Sequence, residues 1–138
     1  MTFYTPILKK VIKLPFFSSL IRAGFPSPAE DHIEQTLDIT ELIVKNPPAT
    51  FYLKVTGESM VNAGILDGDI LVVDRSKIAK HSDIVVAEIN TEFTVKRLYY
   101  RDGQVILHAE SDYHDSIFVK KSDDFSIFGV VSAVVRQL

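Results

Sequence analysis

Beyond residue 50 the chain breaks into short runs of β-branched and aromatic residues divided by turn-forming pairs. The runs at 51–55, 70–73, 84–89, 93–99, 105–108, 117–119 and 125–135 read as strands, because Val, Ile, Phe, Tyr and Thr suit a pleated, half-buried surface. Asp67-Gly68, Asn90-Thr91 and Asp102-Gly103 supply the turns between them. Short strands at this spacing predict a mostly β, compact and chiefly antiparallel body over residues 51–138.

The first 50 residues are patterned differently. Gly24-Phe25-Pro26-Ser27-Pro28 places two prolines and a glycine in five residues, which interrupts hydrogen-bonded structure and predicts an exposed, extended junction. Asn46-Pro47-Pro48 makes a second break. Between them, Leu37, Glu41 and Val44 stand at helical spacing, so a short helix is expected within 37–44 of a linking region that is acidic from Glu30 to Glu41. The expected organisation is an N-terminal arm over 1–23, a linker over 24–50 and the β body. There is no internal repeat or low-complexity tract.

The arm could be mistaken for a targeting segment. Its longest uncharged stretch, 14–21, is only eight residues and contains Pro15, too short to span a bilayer, and lysines interrupt the apolar run a signal peptide needs. A soluble, cytoplasmic protein with no membrane association is expected. At 138 residues and 46% hydrophobic, the chain has material for one core and therefore one functional body. It has no cysteine, which excludes disulfides, thiolate nucleophiles and Cys-based zinc sites.

Charge is unevenly divided. Residues 1–23 carry Lys9, Lys10, Lys13 and Arg22 and no acid, while the rest has 11 basic and 18 acidic residues, a balance of −7. So acidic a body is a poor match for a phosphate backbone, and little direct nucleic-acid binding is expected. The basic arm is either attracted to the acidic body or simply solvated.

Candidate chemistry begins directly after the first strand of the body, at Thr56-Gly57-Glu58-Ser59-Met60. A hydroxyl fixed at a strand end beside a glycine, with backbone N–H groups around it, suits a nucleophile, although a serine there also commonly caps a turn. Such a hydroxyl needs a base. His32, His81, His108 and His114 form no recognisable motif with a serine and no common metal-ligand spacing, so no metal or other cofactor is expected.

Lys96 lies inside a strand pattern in which Thr94, Lys96 and Leu98 share one face. A strand lysine is ordinarily solvated along its stem. To act as a base it must be neutral, a shift from about 10.4 to about 7, which apolar burial without a neighbouring carboxylate can supply.

Taken in order, Gly24-Phe25-Pro26-Ser27-Pro28-Ala29, Gly57-Glu58-Ser59-Met60, Gly64-Ile65-Leu66-Asp67-Gly68-Asp69, Phe93-Thr94-Val95-Lys96-Arg97-Leu98 and Phe128-Gly129-Val130-Val131 resemble the LexA/UmuD family of self-cleaving Ser-Lys proteases, at its UmuD branch. The intervals are part of the likeness: 36 residues from Ala23 to Ser59 and 37 from Ser59 to Lys96. The resemblance implies a LexA-like protease β body with a flexible N-terminal arm, Ser59 as nucleophile, Lys96 as general base and Ala23-Gly24 as the bond cut. It further implies a homodimer, stimulation by a RecA filament on single-stranded DNA, and union of the trimmed body with a UmuC-type Y-family polymerase in translesion synthesis during the SOS response. One departure is Ala23, where UmuD proteins carry cysteine and LexA repressors alanine; both are small.

Three rivals stand beside this reading. A LexA-type repressor needs a helix-turn-helix domain before the cut bond, and 23 residues are too few. A signal peptidase needs a membrane segment. A non-catalytic, dimeric polymerase-recruiting module would keep the fold without using Ser59 and Lys96.

Overall fold

The computed structural model describes residues 3–4, 11–17 and 33–138. Its main feature is an eight-stranded sheet ordered β1-β4-β5-β10-β6-β7-β8-β9, every neighbouring pair antiparallel. The strands are β1 (Phe3–Tyr4), β4 (Thr50–Lys54), β5 (Ile70–Asp74), β6 (Ile84–Ile89), β7 (Glu92–Arg101), β8 (Gln104–His108), β9 (Ile117–Phe118) and β10 (Phe125–Val135). Every run expected to be a strand is one. Asn90, Thr91, Asp102 and Gly103 adopt positive φ in the tight β6–β7 and β7–β8 turns, the twist-matching conformation such turns require.

β10 organises the sheet. Its first half pairs with β6 and its second half with β5, and each pairing carries a register shift. Such bulges bend a strand and increase its twist, so one strand serves two neighbours. Gly129 permits the crossing. A Cβ there would lie 2.6 Å from Val73 Cγ1 and 3.2 Å from the Asp74 carbonyl oxygen, closer than a side chain can come without displacing β5.

Alternation along β6 divides the core. Val86 packs with Leu53, Val55, Met60, Ile65, Leu71, Val73 and Val95, whereas Val85 and Ala87 pack with Leu98, Leu107 and Val130. β7 contributes to both clusters, and a polar side chain in its middle is therefore enclosed.

The N-terminal region holds pairings that local pattern did not reveal. β2 (Leu14–Phe17) and β3 (Ile33–Leu37) form a separate antiparallel ribbon, and β1 lies against β4 with Phe3 opposite Leu53 and Tyr4 opposite Tyr52. The expected helix is α1 (Ile39–Ile43), shorter than 37–44 because the buried Asp38 side chain caps it by accepting a hydrogen bond from the Thr40 N–H. Among the described residues, no helix is long and apolar enough to cross a membrane.

Candidate active site

β4 delivers the chain to a loop held at both ends. The Val55 N–H donates to the Asp69 carbonyl and the Gly68 N–H donates back to the Val55 carbonyl, each at 2.8 Å. Gly57, at φ +91°, makes the turn that follows, and its N–H donates to Asp67 Oδ1 at 2.7 Å. Met60 then buries its side chain in the first core cluster, while its carbonyl accepts from the Ala63 and Ile65 N–H groups. Ser59 sits between these anchors.

A second set of contacts braces the far side of the loop. Asp69 is 1% exposed and accepts both Nε and an Nη of Arg136 at 2.6 Å, and the Leu66 N–H at 2.7 Å. The same guanidinium also donates to the Gly64 carbonyl. Hydrogen bonds from Arg136 hold the Asp69 carboxyl below its ordinary value. Sequence reasoning did not find this pair, because 67 residues separate its members and neither stands in a motif.

Lys96 lies in the middle of β7, opposite Val85 of β6, and is 8% exposed. Its Nζ is 3.1 Å from Ser59 Oγ, 2.7 Å from Thr94 Oγ1 and 3.2 Å from the Val95 carbonyl oxygen. Among the described residues no carboxylate stands at ion-pair distance from it. Burial lowers the lysine below its ordinary value, with no opposing attraction to restore it.

Lys96 Nζ donates to all three oxygens. On loss of a proton, two N–H bonds are enough for the Val95 carbonyl and the Thr94 hydroxyl, and the lone pair is then free to accept from the Ser59 O–H. Thr94 is the residue that sequence reasoning placed on the correct face without assigning it a task; a hydroxyl two residues away on the same strand face was the available signal.

Ser59 opens onto a cleft of ≈ 420 Å³ bounded by Val55, Thr56, Gly57, Met60, Phe93 and Thr94, among others. The backbone N–H groups of Glu58, Ser59 and Met60, in the same turn as the hydroxyl, donate no hydrogen bond among the described residues. The histidines lie elsewhere in the network. His81 Nδ1 accepts from the Tyr100 N–H, His108 pairs with Ser116 and His114 with Ser111. His32 and the Ala23-Gly24 bond fall outside the described residues.

A hydroxyl next to a buried, uncompensated amine is competent for proton abstraction and nucleophilic attack. The comparisons with known proteins agree in kind. Residues 15–132 match the model of the peptidase S24-like family. Protein ImpA of Salmonella typhimurium is 46% identical over 124 residues, covering 89% of this chain and 83% of its own. Protein MucA of Escherichia coli is 43% identical over 123 residues, covering 89% and 84%. The LexA repressor of Haemophilus influenzae is 44% identical over 119 residues, which is 85% of this chain but 57% of the repressor.

Proposed function

Since the chain belongs to the S24-like peptidases, as a UmuD-like member of the LexA/UmuD family of self-cleaving serine peptidases, we propose that it cuts its own Ala23-Gly24 bond with Ser59 as nucleophile and Lys96 as general base. The observation that carries this reading is the 3.1 Å contact between Lys96 Nζ and Ser59 Oγ, made by a lysine that is buried with no carboxylate at ion-pair distance among the described residues.

In this mechanism neutral Lys96 takes the Ser59 proton as Oγ attacks the Ala23 carbonyl. The oxyanion develops beside the free N–H groups of the 58–60 turn. Collapse expels the Gly24 amine, to which Lys96 returns the proton. The Ala23 acyl-enzyme is then hydrolysed by a water that Lys96 deprotonates. Small residues on both sides of the bond let an extended backbone approach the hydroxyl. The 35-residue span from Gly24 to Ser59 reaches on the order of 100 Å when extended, ample for cutting within a subunit or across a dimer.

The biological reading follows the family. A removable arm over 1–23, a linker over 24–50 and a β body over 51–138 make a homodimeric, cytoplasmic SOS-mutagenesis protein. A RecA filament on single-stranded DNA stimulates the cut, and the trimmed form joins a UmuC-type Y-family polymerase for translesion synthesis. Incubation of the purified chain at alkaline pH, with and without an activated RecA filament, followed by mass spectrometry, tests the chemistry. A cut after Ala23 that Ser59→Ala and Lys96→Ala each abolish is expected. No cut under either condition, or one that survives both substitutions, would favour the non-catalytic recruiting module.

A further inference from the structure

The two ladders that join the arm to the rest of the described chain both straddle the Ala23-Gly24 bond. β1 pairs with β4 through two residue pairs, and β2 pairs with β3 through four. In the intact chain the tether keeps each strand at high local concentration beside its partner. Once the bond is cut, the same few pairs must hold a separate 23-residue peptide, and two-stranded pairings of this length are marginal even when covalently joined.

Loss of the arm changes β4 most. Among the described residues Thr50–Lys54 is held by β5 on one side and by β1 on the other, so removing Phe3–Tyr4 makes it the terminal strand of the described sheet. Its outward N–H and C=O groups then stand unpaired, the arrangement that accepts an added strand. The arm indicates the chemistry of what fits there. It is extended where it pairs, carries an aromatic pair at that point, and has four basic residues and no acid, whereas residues 24–138 have a balance of −7.

We propose that the β4 edge is a strand-addition site, occupied by the arm in the uncut chain and vacated by cutting for an extended, basic, aromatic-bearing segment of a partner protein. This rests on the proposed cut at Ala23-Gly24. Proteolysis would thereby exchange an intramolecular strand for an intermolecular one. Among the described residues, the core clusters draw on residues from 53 onward, so the packing of the body that presents the edge is built without the described part of the arm.

Hydrogen–deuterium exchange of the Thr50–Lys54 segment tests the proposal. The uncut Ser59→Ala chain is compared with the cut chain after the arm is removed by gel filtration, with and without a millimolar synthetic peptide of residues 1–10. Cutting is expected to speed exchange at the outward β4 amides at least tenfold, and the peptide to restore protection. A peptide N-methylated at Phe3 and Tyr4, which keeps its side chains but loses its donors, should restore none; one with Lys9 and Lys10 replaced by glutamate should restore less. Equal exchange in uncut and cut chains, or equal restoration by the N-methylated or acidic peptide, would overturn the proposal. Protection of the cut chain that grows with its own concentration would assign the edge to a second copy and overturn the partner segment. If the chain fails to cut itself, the self-cleavage reading fails, and the edge is still tested on a chain cut at an engineered protease site at the same position.

Discussion

Replacing Lys96 by methionine should stabilise the fold at neutral pH while abolishing self-cutting. The lysine is almost wholly enclosed, and its amine is met by two hydroxyls and a carbonyl but by no counter-charge among the described residues. Methionine matches its length and packs readily in irregular apolar space. Exchanging a buried ionisable group for an apolar one stabilises by about 1–4 kcal/mol, and the hydrogen bonds lost to Thr94 and Val95 offset some of that. A net gain of about 1–2 kcal/mol, or roughly 3–6 °C in Tm, is expected at pH 7.

The pH dependence gives the sharper test. The folded chain holds Lys96 below the ordinary 10.5, so between that lowered value and 10.5 the unfolded chain binds more protons. Across this window native stability rises with pH, and below the lowered value the full cost of the buried ammonium is present. The methionine variant lacks this slope. Its advantage should be widest near neutrality and should shrink, then reverse, as pH approaches 10.5. Urea denaturation followed by circular dichroism from pH 6 to pH 10, with both proteins in a Ser59→Ala background, measures this directly. A variant less stable than its parent by the same amount at every pH would refute the argument that Lys96 is held against a desolvation cost.

Other outcomes follow from contacts already described. Thr94→Val keeps the shape of the side chain but removes the hydroxyl 2.7 Å from Lys96 Nζ, and should slow self-cutting about fivefold, as one hydrogen bond of ~1 kcal/mol would; a mass-spectrometric time course reads the rate. Gly129→Ala drives a methyl group to 2.6 Å from Val73 Cγ1 and should cost about 1–3 kcal/mol in urea denaturation. Arg136→Gln leaves the buried Asp69 carboxylate without its cation. Its urea midpoint should fall at pH 7, and the difference should narrow as pH drops below about 3.8, where Asp69 protonates in the unfolded chain.

Much of the body could be read from its residues. β6 and β10 keep the expected bounds of 84–89 and 125–135, because continuous β-branched runs there end at hydrophilic turns. β7 runs to Glu92 and Arg101, beyond 93–99, because ladders to both β6 and β8 carry polar residues along with the apolar ones. The ribbon of β2 and β3 has no local sequence signal. Pro15 argues against a strand, and nothing local to Leu14–Phe17 names Ile33–Leu37 as its partner. Ser59 and Lys96 became legible through their order and interval rather than through local pattern. Their mutual distance, the part played by Thr94 and the bracing of the loop by Asp69 and Arg136 depend on contacts between distant segments.

The position of Lys96 also bears on how the protein is controlled. A base carried on a loop could be swung in or out of place. This one stands between two core clusters, in a strand bonded to neighbours on both sides, and disengaging it would mean taking the sheet apart. Under the proposed mechanism the base is therefore fixed in place, and control of the proposed cut would act by deciding when the Ala23-Gly24 segment is brought to Ser59.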